Sequence, residues 1–307
     1  MKGLLSTDLG IRFTLVGLLP AATAALVVTS VLLAGAPGKE PSWSQFVGHL
    51  DQLSLAEGGA LLLAVLVTAL VLQPLQLGLV RLLEGYWPRN RVTERVARVR
   101  RERHATLRRR VLARTVLPHT ETPSDRDLAL MAEATEALRL YPAEARLQPT
   151  RLGNVLRAAE DRAGSRYGLD AVTAWPRLLP LLPAALADPL ADARNALDAA
   201  ARMTAVWGGA SVLLLALLAP YGWWLLLPAG GALVCWLSYS GAIAAAAAYG
   251  VLVETAFDLH RFDLLGALHV APAADAVQEQ QVNEKLTAFL LQGGAWPLPY
   301  HHPPEGS

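Results

Sequence analysis

The stretch from residue 58 to residue 114 limits what this chain can become more than any other. An uncharged apolar run, Gly58–Val80 (GGALLLAVLVTALVLQPLQLGLV), gives way at once to Arg81–Arg114, which holds 12 arginines against three glutamates, Glu84, Glu94 and Glu102. A helix needs about 20 apolar residues to cross a bilayer core, and the first run has that length. The nine net positive charges beside it stay on the cytoplasmic side. The junction therefore predicts a transmembrane helix and also its direction.

Three more apolar runs lack Asp, Glu, Lys, Arg and His: about residues 13–35, 204–219 and 225–251. They explain why only 17% of the chain is charged, where soluble domains carry about 25%. The first run, Phe13–Gly35, follows Lys2 and Arg12, which set its start in the cytoplasm. Ala34-Gly35-Ala36 resembles a signal-peptide cleavage site, but the run exceeds a signal core of about 7–15 residues, which favours an uncleaved helix. Between the first two spans, Pro37–Glu57 has Lys39 as its sole Lys or Arg, and Trp43, Phe46, Val47 and Leu50 fall at helical spacing. A short helix on the outer interface and a loop over the bundle both fit. Pro74 predicts a kink in the second span. Gln73 and Gln76 flank it as a candidate intramembrane polar patch. Tyr86 and Trp87 mark the inner interface.

The expected architecture is all-α: a four-helix transmembrane bundle in two hairpins, with a helical cytoplasmic module between spans 2 and 3. Residues 1–83 form the first hairpin, 84–200 the module, 201–252 the second hairpin, and 253–307 a cytoplasmic helix with a disordered proline-rich tail. Within the module, residues 91–115 read as a basic helix whose thin apolar stripe is Val92, Val96, Val99, Leu107 and Val111. Anionic lipid of the inner leaflet suits such a helix, whereas nucleic acid does not, since no stacking aromatics interleave with the arginines. Residues 119–200 carry 12 acids and nine arginines, so the basic helix is expected to fold partly onto acidic neighbours. Leu117–Pro123 reads as a loop, Ser124 caps a helix over Asp125–Leu140, and a second runs from Arg151 to Tyr167 with Gly168 as its stop. Trp175, Leu178, Leu179, Leu181 and Leu182, broken by Pro176, Pro180 and Pro183, read as a non-helical apolar patch, core of the module or dipping into the leaflet. Asp188-Pro189 reads as a cap and first turn. In span 4, Ser238, Ala242, Ala246 and Gly250 recur at i+4, with Ser240, Ala244 and Ala248 beside them. Such ridges bring helices close and predict a homo-oligomer through span 4.

Candidate chemistry is sparse. Arg151, Asn154, Arg157, Asp161, Arg162 and Arg166 share a polar helix face suited to a protein partner or an anion, or simply to solvent. Glu254, Asp258, His260 and Arg261 gather where span 4 ends. No Walker loop, zinc-protease motif or nucleophile elbow occurs. No catalytic residue, metal or cofactor is assigned. The lone cysteine, Cys235, excludes an intramolecular disulfide and reads as a packing residue.

The stretches LQPLQ (72–76), LEGYW (83–87), RLGNVLRAAEDR (151–162) and RYGLD (166–170) resemble multi-pass membrane proteins of high-GC bacteria. That resemblance implies a shared cytoplasmic module and no activity.

The functional expectation is a non-enzymatic inner-membrane scaffold or effector, both termini cytoplasmic, whose module binds a cytoplasmic protein. A pore lined by Gln73 and Gln76, and a lipid-acting enzyme using Glu254, Asp258 and His260, are the alternatives. Spans without ionisable side chains disfavour ion-coupled transport.

Overall fold

The computed structural model describes residues 19–116, 124–293 and 301, and in one helix the side chains of residues 68–77 and 79 fall outside that set. The described residues are all-helical, without a strand. The helices are α1 (Leu19–Leu33), α2 (Trp43–Gln52), α3 (Leu55–Glu84), α4 (Arg91–Ala113), α5 (Asp125–Arg139), α6 (Arg151–Arg162), α7 (Ala171–Leu178), α8 (Ala184–Leu218), α9 (Leu226–Ala267) and α10 (Ala276–Gln292). They divide into two compact units: Met1–Leu83 with Ala196–Ala242, and Glu84–Asn195 with Ile243–Ser307.

Two helices are each long and apolar enough to cross a membrane: α8, and α9 taken from Gly222. A third candidate is a bent pair, α2 with the first part of α3 (Leu55–Val67), which turn by 115° at their junction. Of the expected four spans, the described residues show two crossing helices, or three with the bent pair. Residues 19–35 of the first expected span are described, and the helix among them, Leu19–Leu33, is 15 residues long. The expected kink at Pro74 and the side chains of Gln73 and Gln76 lie outside the described residues, as do the loop 117–123 and most of the tail.

In the first unit, Val31 and Ala36 pack with Leu214 and Leu218. Cys235 does pack: its Sγ lies 3.3 Å from the Thr204 carbonyl. A Cβ on Gly231 would stand 2.5 Å from the Ser211 hydroxyl, so the α8–α9 hairpin closes over small residues. The segment after Pro37 does contain a helix, α2, capped by Ser42, whose side chain accepts from the Gln45 amide. Trp43 is 75% exposed on it.

The second unit has the larger apolar core. Ala163, Leu169, Ala174, Leu178, Phe257, Leu264 and Leu286 close around one another from α7, α9, α10 and the turn after α6. Phe257 is fully buried, and its ring stacks on Trp175 with centroids 6.1 Å apart. Two expectations change here. The leucine–proline patch is helical, since α7 ends at Leu178 and a 3₁₀ turn follows over Leu179–Leu181. Helix α8 begins at Ala184, so Pro189 is interior rather than in the first position. Pro176 and Pro189 each stand sixth in their helix. The carbonyls they leave without a donor belong to Val172 and Ala185, both exposed residues that water can satisfy.

Helix α6 also ends earlier than its apolar spacing predicts. Gly164 adopts φ +74° and its carbonyl accepts from the Leu169 amide, so the chain leaves the helix at Arg162 and makes a 3₁₀ turn over Ser165–Tyr167. Near the start of α6, Gly153 packs against the last carbonyl of α3. A Cβ there would run into the Glu84 carbonyl oxygen and stand 2.9 Å from the Thr150 hydroxyl. Backbone cannot yield as a side chain can. Gly153→Ala is therefore expected to lower stability by about 2–3 kcal/mol, as overpacking does, and a thermal melt of the detergent-solubilised chain measures it.

Candidate binding site

The second unit carries two cavities, and residues 84–89 contribute to both. Their position is set by two turns. Gly85 takes φ +100° with Pro149 against it. Asn90 then caps α4, accepting from the Val92 and Thr93 amides at 3.0 and 2.8 Å, while Thr93 Oγ1 returns to the Asn90 amide and the Pro88 carbonyl.

Helix α4 lies against residues 141–149 through one side. Arg100 Nε donates to the Pro149 carbonyl (2.9 Å), Arg108 Nε to the Pro142 carbonyl (3.0 Å), and Arg109 pairs with Glu144. Among the described residues these arginine contacts go mainly to carbonyl oxygens, with one acidic partner, and α4 also packs on α5. The valine stripe stays outside: Val92 is 70% exposed, Val96 45% and Val99 64%.

A cavity of about 340 Å³ opens beside the first turns of α4, lined by Trp87, Arg89, Glu94, Arg98, Arg101 and Gln148 among others. The Arg100 guanidinium lies 5.9 Å from the Trp87 ring and fixes that wall. Arg89, Arg98 and Arg101 make no ion pair or hydrogen bond with the described residues. Sequence reasoning had not grouped them. The signal was available: Arg98 and Arg101 are one helical turn apart, and the capped turn at Asn90 folds Arg89 back toward them.

The second cavity, about 250 Å³, has Tyr86, Trp175 and Tyr249 on its apolar side and Glu84, Arg157, Glu160 and Arg194 on its polar side. Arg157 donates to Glu160 at 2.8 Å, and Arg194 lies over the Tyr249 ring. Its charges balance and its cations are engaged.

The predicted α6 face is divided. Asn154 is fully buried and reproduces a backbone pairing, accepting from the Gln148 amide at 2.8 Å and donating to its carbonyl at 3.1 Å. Asp161 pairs with Arg146 at 2.6 Å, and burial holds its carboxyl above the ordinary range despite the neighbouring arginines. Arg162 binds Glu254 at 2.7 Å and also the Arg139 carbonyl. Arg151 and Arg166 are exposed. The juxtamembrane group is likewise dispersed. Glu254 serves Arg162 and Arg139, Asp258 accepts from the Tyr167 hydroxyl (2.8 Å), His260 meets Asp263 (2.7 Å), and Arg261 pairs with Glu279 (2.6 Å) beneath the Tyr167 ring. Burial, and then Asp258, push the Tyr167 hydroxyl above its usual pKa. The described residues contain no cluster of His, Cys, Asp and Glu arranged to hold a metal.

One residue on the packed side of α4 carries a pH signature. His104 sits against the Tyr141 ring with its Nδ1 buried and unpartnered, and burial followed by Arg100, Arg103 and Arg151 holds its pKa below the ordinary 6.5. The unfolded chain therefore takes up this proton more readily than the folded one. The stability His104 contributes is complete above its ordinary pKa and falls as pH drops through it. His104→Leu is expected to flatten the loss of melting temperature between about pH 7.5 and 5.5.

No protein-family model matches the chain, and no curated protein or solved structure matches it.

Proposed function

We propose that this is a multi-pass inner-membrane protein with four spans in two hairpins and both termini in the cytoplasm, acting as a non-enzymatic scaffold. Its helical module, residues 84–200, is the working part. There it docks a cytoplasmic protein while α4 contacts anionic lipid of the inner leaflet. The observation that carries this reading is the outward side of α4, where Val92, Val96 and Val99 stand exposed beside arginines. Valines framed by cations suit an interface of acyl chains and anionic headgroups, and each basic residue near such a surface contributes about 1 kcal/mol.

The engagement of Glu254, Asp258 and His260 in separate pairs favours a structural over a catalytic role for them. Self-association is assigned to the outer strip of span 4. Ala242, Ala246 and Gly250 are buried within the chain, a Cβ on Gly250 standing 2.6 Å from Ala159, whereas Ser240, Ala244 and Ala248 are exposed. In-cell cross-linking followed by detergent purification of the full chain tests the proposal. A discrete complex of the chain with itself and a second protein is the expected product. A monodisperse monomer without a partner contradicts it.

A further inference from the structure

We infer that the cavity at the start of α4 is a binding site for a phosphate-bearing anion, held by Arg89, Arg98 and Arg101 against Trp87. In the second unit, Arg100, Arg108, Arg109, Arg139, Arg146, Arg157, Arg162 and Arg261 all spend their guanidinium groups on carbonyl or carboxylate oxygens. Several exposed arginines of α4 do not, but Arg89, Arg98 and Arg101 are the ones that line a cavity, and Glu94 is the one acid among its walls. Three guanidinium groups against one carboxylate leave two net positive charges on the walls of this concave space.

Guanidinium forks match the oxygens of a phosphate, and two or three of them define a phosphate site better than a carboxylate site. A volume of about 340 Å³ takes a phosphate with a small substituent such as glycerol. The Trp87 indole, pinned beneath Arg100, offers that substituent an apolar wall. The first amides of α4 are already satisfied by Asn90, so the arginines and not the helix terminus carry the site. The valine stripe lies on the opposite side of α4 from Arg98 and Arg101, so this cavity is separate from the lipid-facing surface proposed above. The phosphate belongs either to a phospholipid headgroup or to a soluble phosphoryl compound. Only the first source rests on the membrane reading, with the cavity lining beginning five residues past the end of the second expected span.

The test titrates the full chain in neutral detergent with short-chain phosphatidylglycerol, short-chain phosphatidylcholine and inorganic phosphate. Bound adducts are read by native mass spectrometry. Phosphatidylglycerol binds and phosphatidylcholine binds at least about tenfold more weakly, since its own cation opposes the arginines. Arg98→Gln and Arg101→Gln each weaken the preferred anion about tenfold, the value of one charge-assisted contact. Arg103→Gln, exposed on the valine side of the same helix, changes it less than about twofold. Inorganic phosphate binding as tightly as phosphatidylglycerol, with the same arginine dependence, supports the site and assigns it a soluble ligand. Two results overturn it: no anion binds, or Arg103→Gln weakens binding as much as Arg98→Gln, which means diffuse charge attraction. Circular dichroism of each variant checks that the helices remain. Failure here leaves the cross-linked complex intact, so the two proposals fall separately.

Discussion

Phe257→Ala is expected to cost about 3–5 kcal/mol, the range for truncating a fully buried aromatic. The side chain has no exposed surface, stacks on Trp175 and closes against the backbone turn at Gly164, where a Cβ would stand 3.0 Å from its ring. It joins α7 and α9 where both meet the turn after α6. Native domains are stable by only about 5–15 kcal/mol, so this loss populates open forms of the second unit measurably. Limited trypsin digestion detects it, because the helical backbone at the half-buried Arg157 and Arg162 of α6 opens to the protease. Leu259→Ala, two residues along the same helix and 65% exposed, serves as the control and should shift the digestion little.

The second large effect concerns the docking of α10 on α9. Arg261 and Glu279 meet at 2.6 Å with side chains only 16% and 9% exposed, and the guanidinium lies 4.0 Å from the Tyr167 ring centre. Glu279→Ala strands a largely buried cation and is expected to cost about 3–5 kcal/mol. Replacing both members, Arg261→Met with Glu279→Leu, removes the stranded charge and should recover most of that loss, since apolar substitutes for a buried pair are often neutral. Melting temperatures of Arg261→Met, Glu279→Leu and the double variant give the coupling directly. A double variant no better than Glu279→Ala shows that the loss does not come from an uncompensated charge.

Much of the second unit could be read from residue order because the signals there are local. Ser124 ahead of Asp127, Asn90 ahead of Thr93 and Gly293 at a helix end act within one turn, and α5, α4 and α10 begin or stop where these residues stand. Prolines misled, because their effect depends on where the freed carbonyl points. Val172 and Ala185 lie on exposed sides, so Pro176 and Pro189 stay inside helices. Gly164 was passed over in favour of Gly168, although both adopt positive φ, because apolar spacing continues to Tyr167 through the 3₁₀ turn.

The candidate site was legible only in its composition. That residues 91–110 are basic is plain from the chain. Which arginines are already spent depends on carbonyls at Pro142 and Pro149, 34 and 49 residues away in sequence, and no periodicity encodes that. The same holds for Asn154. It sits among arginines on a helical wheel, yet it faces inward because the 148 backbone needs a donor and an acceptor there.

For α4 to meet the inner leaflet and a cytoplasmic protein, the arginine-rich unit must remain on the inner side of a membrane. Cysteine labelling measures that side most directly. In a Cys235→Ser background, Ser44→Cys and Ser165→Cys, both at exposed positions, are treated in intact spheroplasts with a membrane-impermeant maleimide. Labelling at Ser44→Cys at once, and at Ser165→Cys only after permeabilisation, is the expected result. Immediate labelling at Ser165→Cys contradicts the account, since the arginines beside α3 would then stand outside.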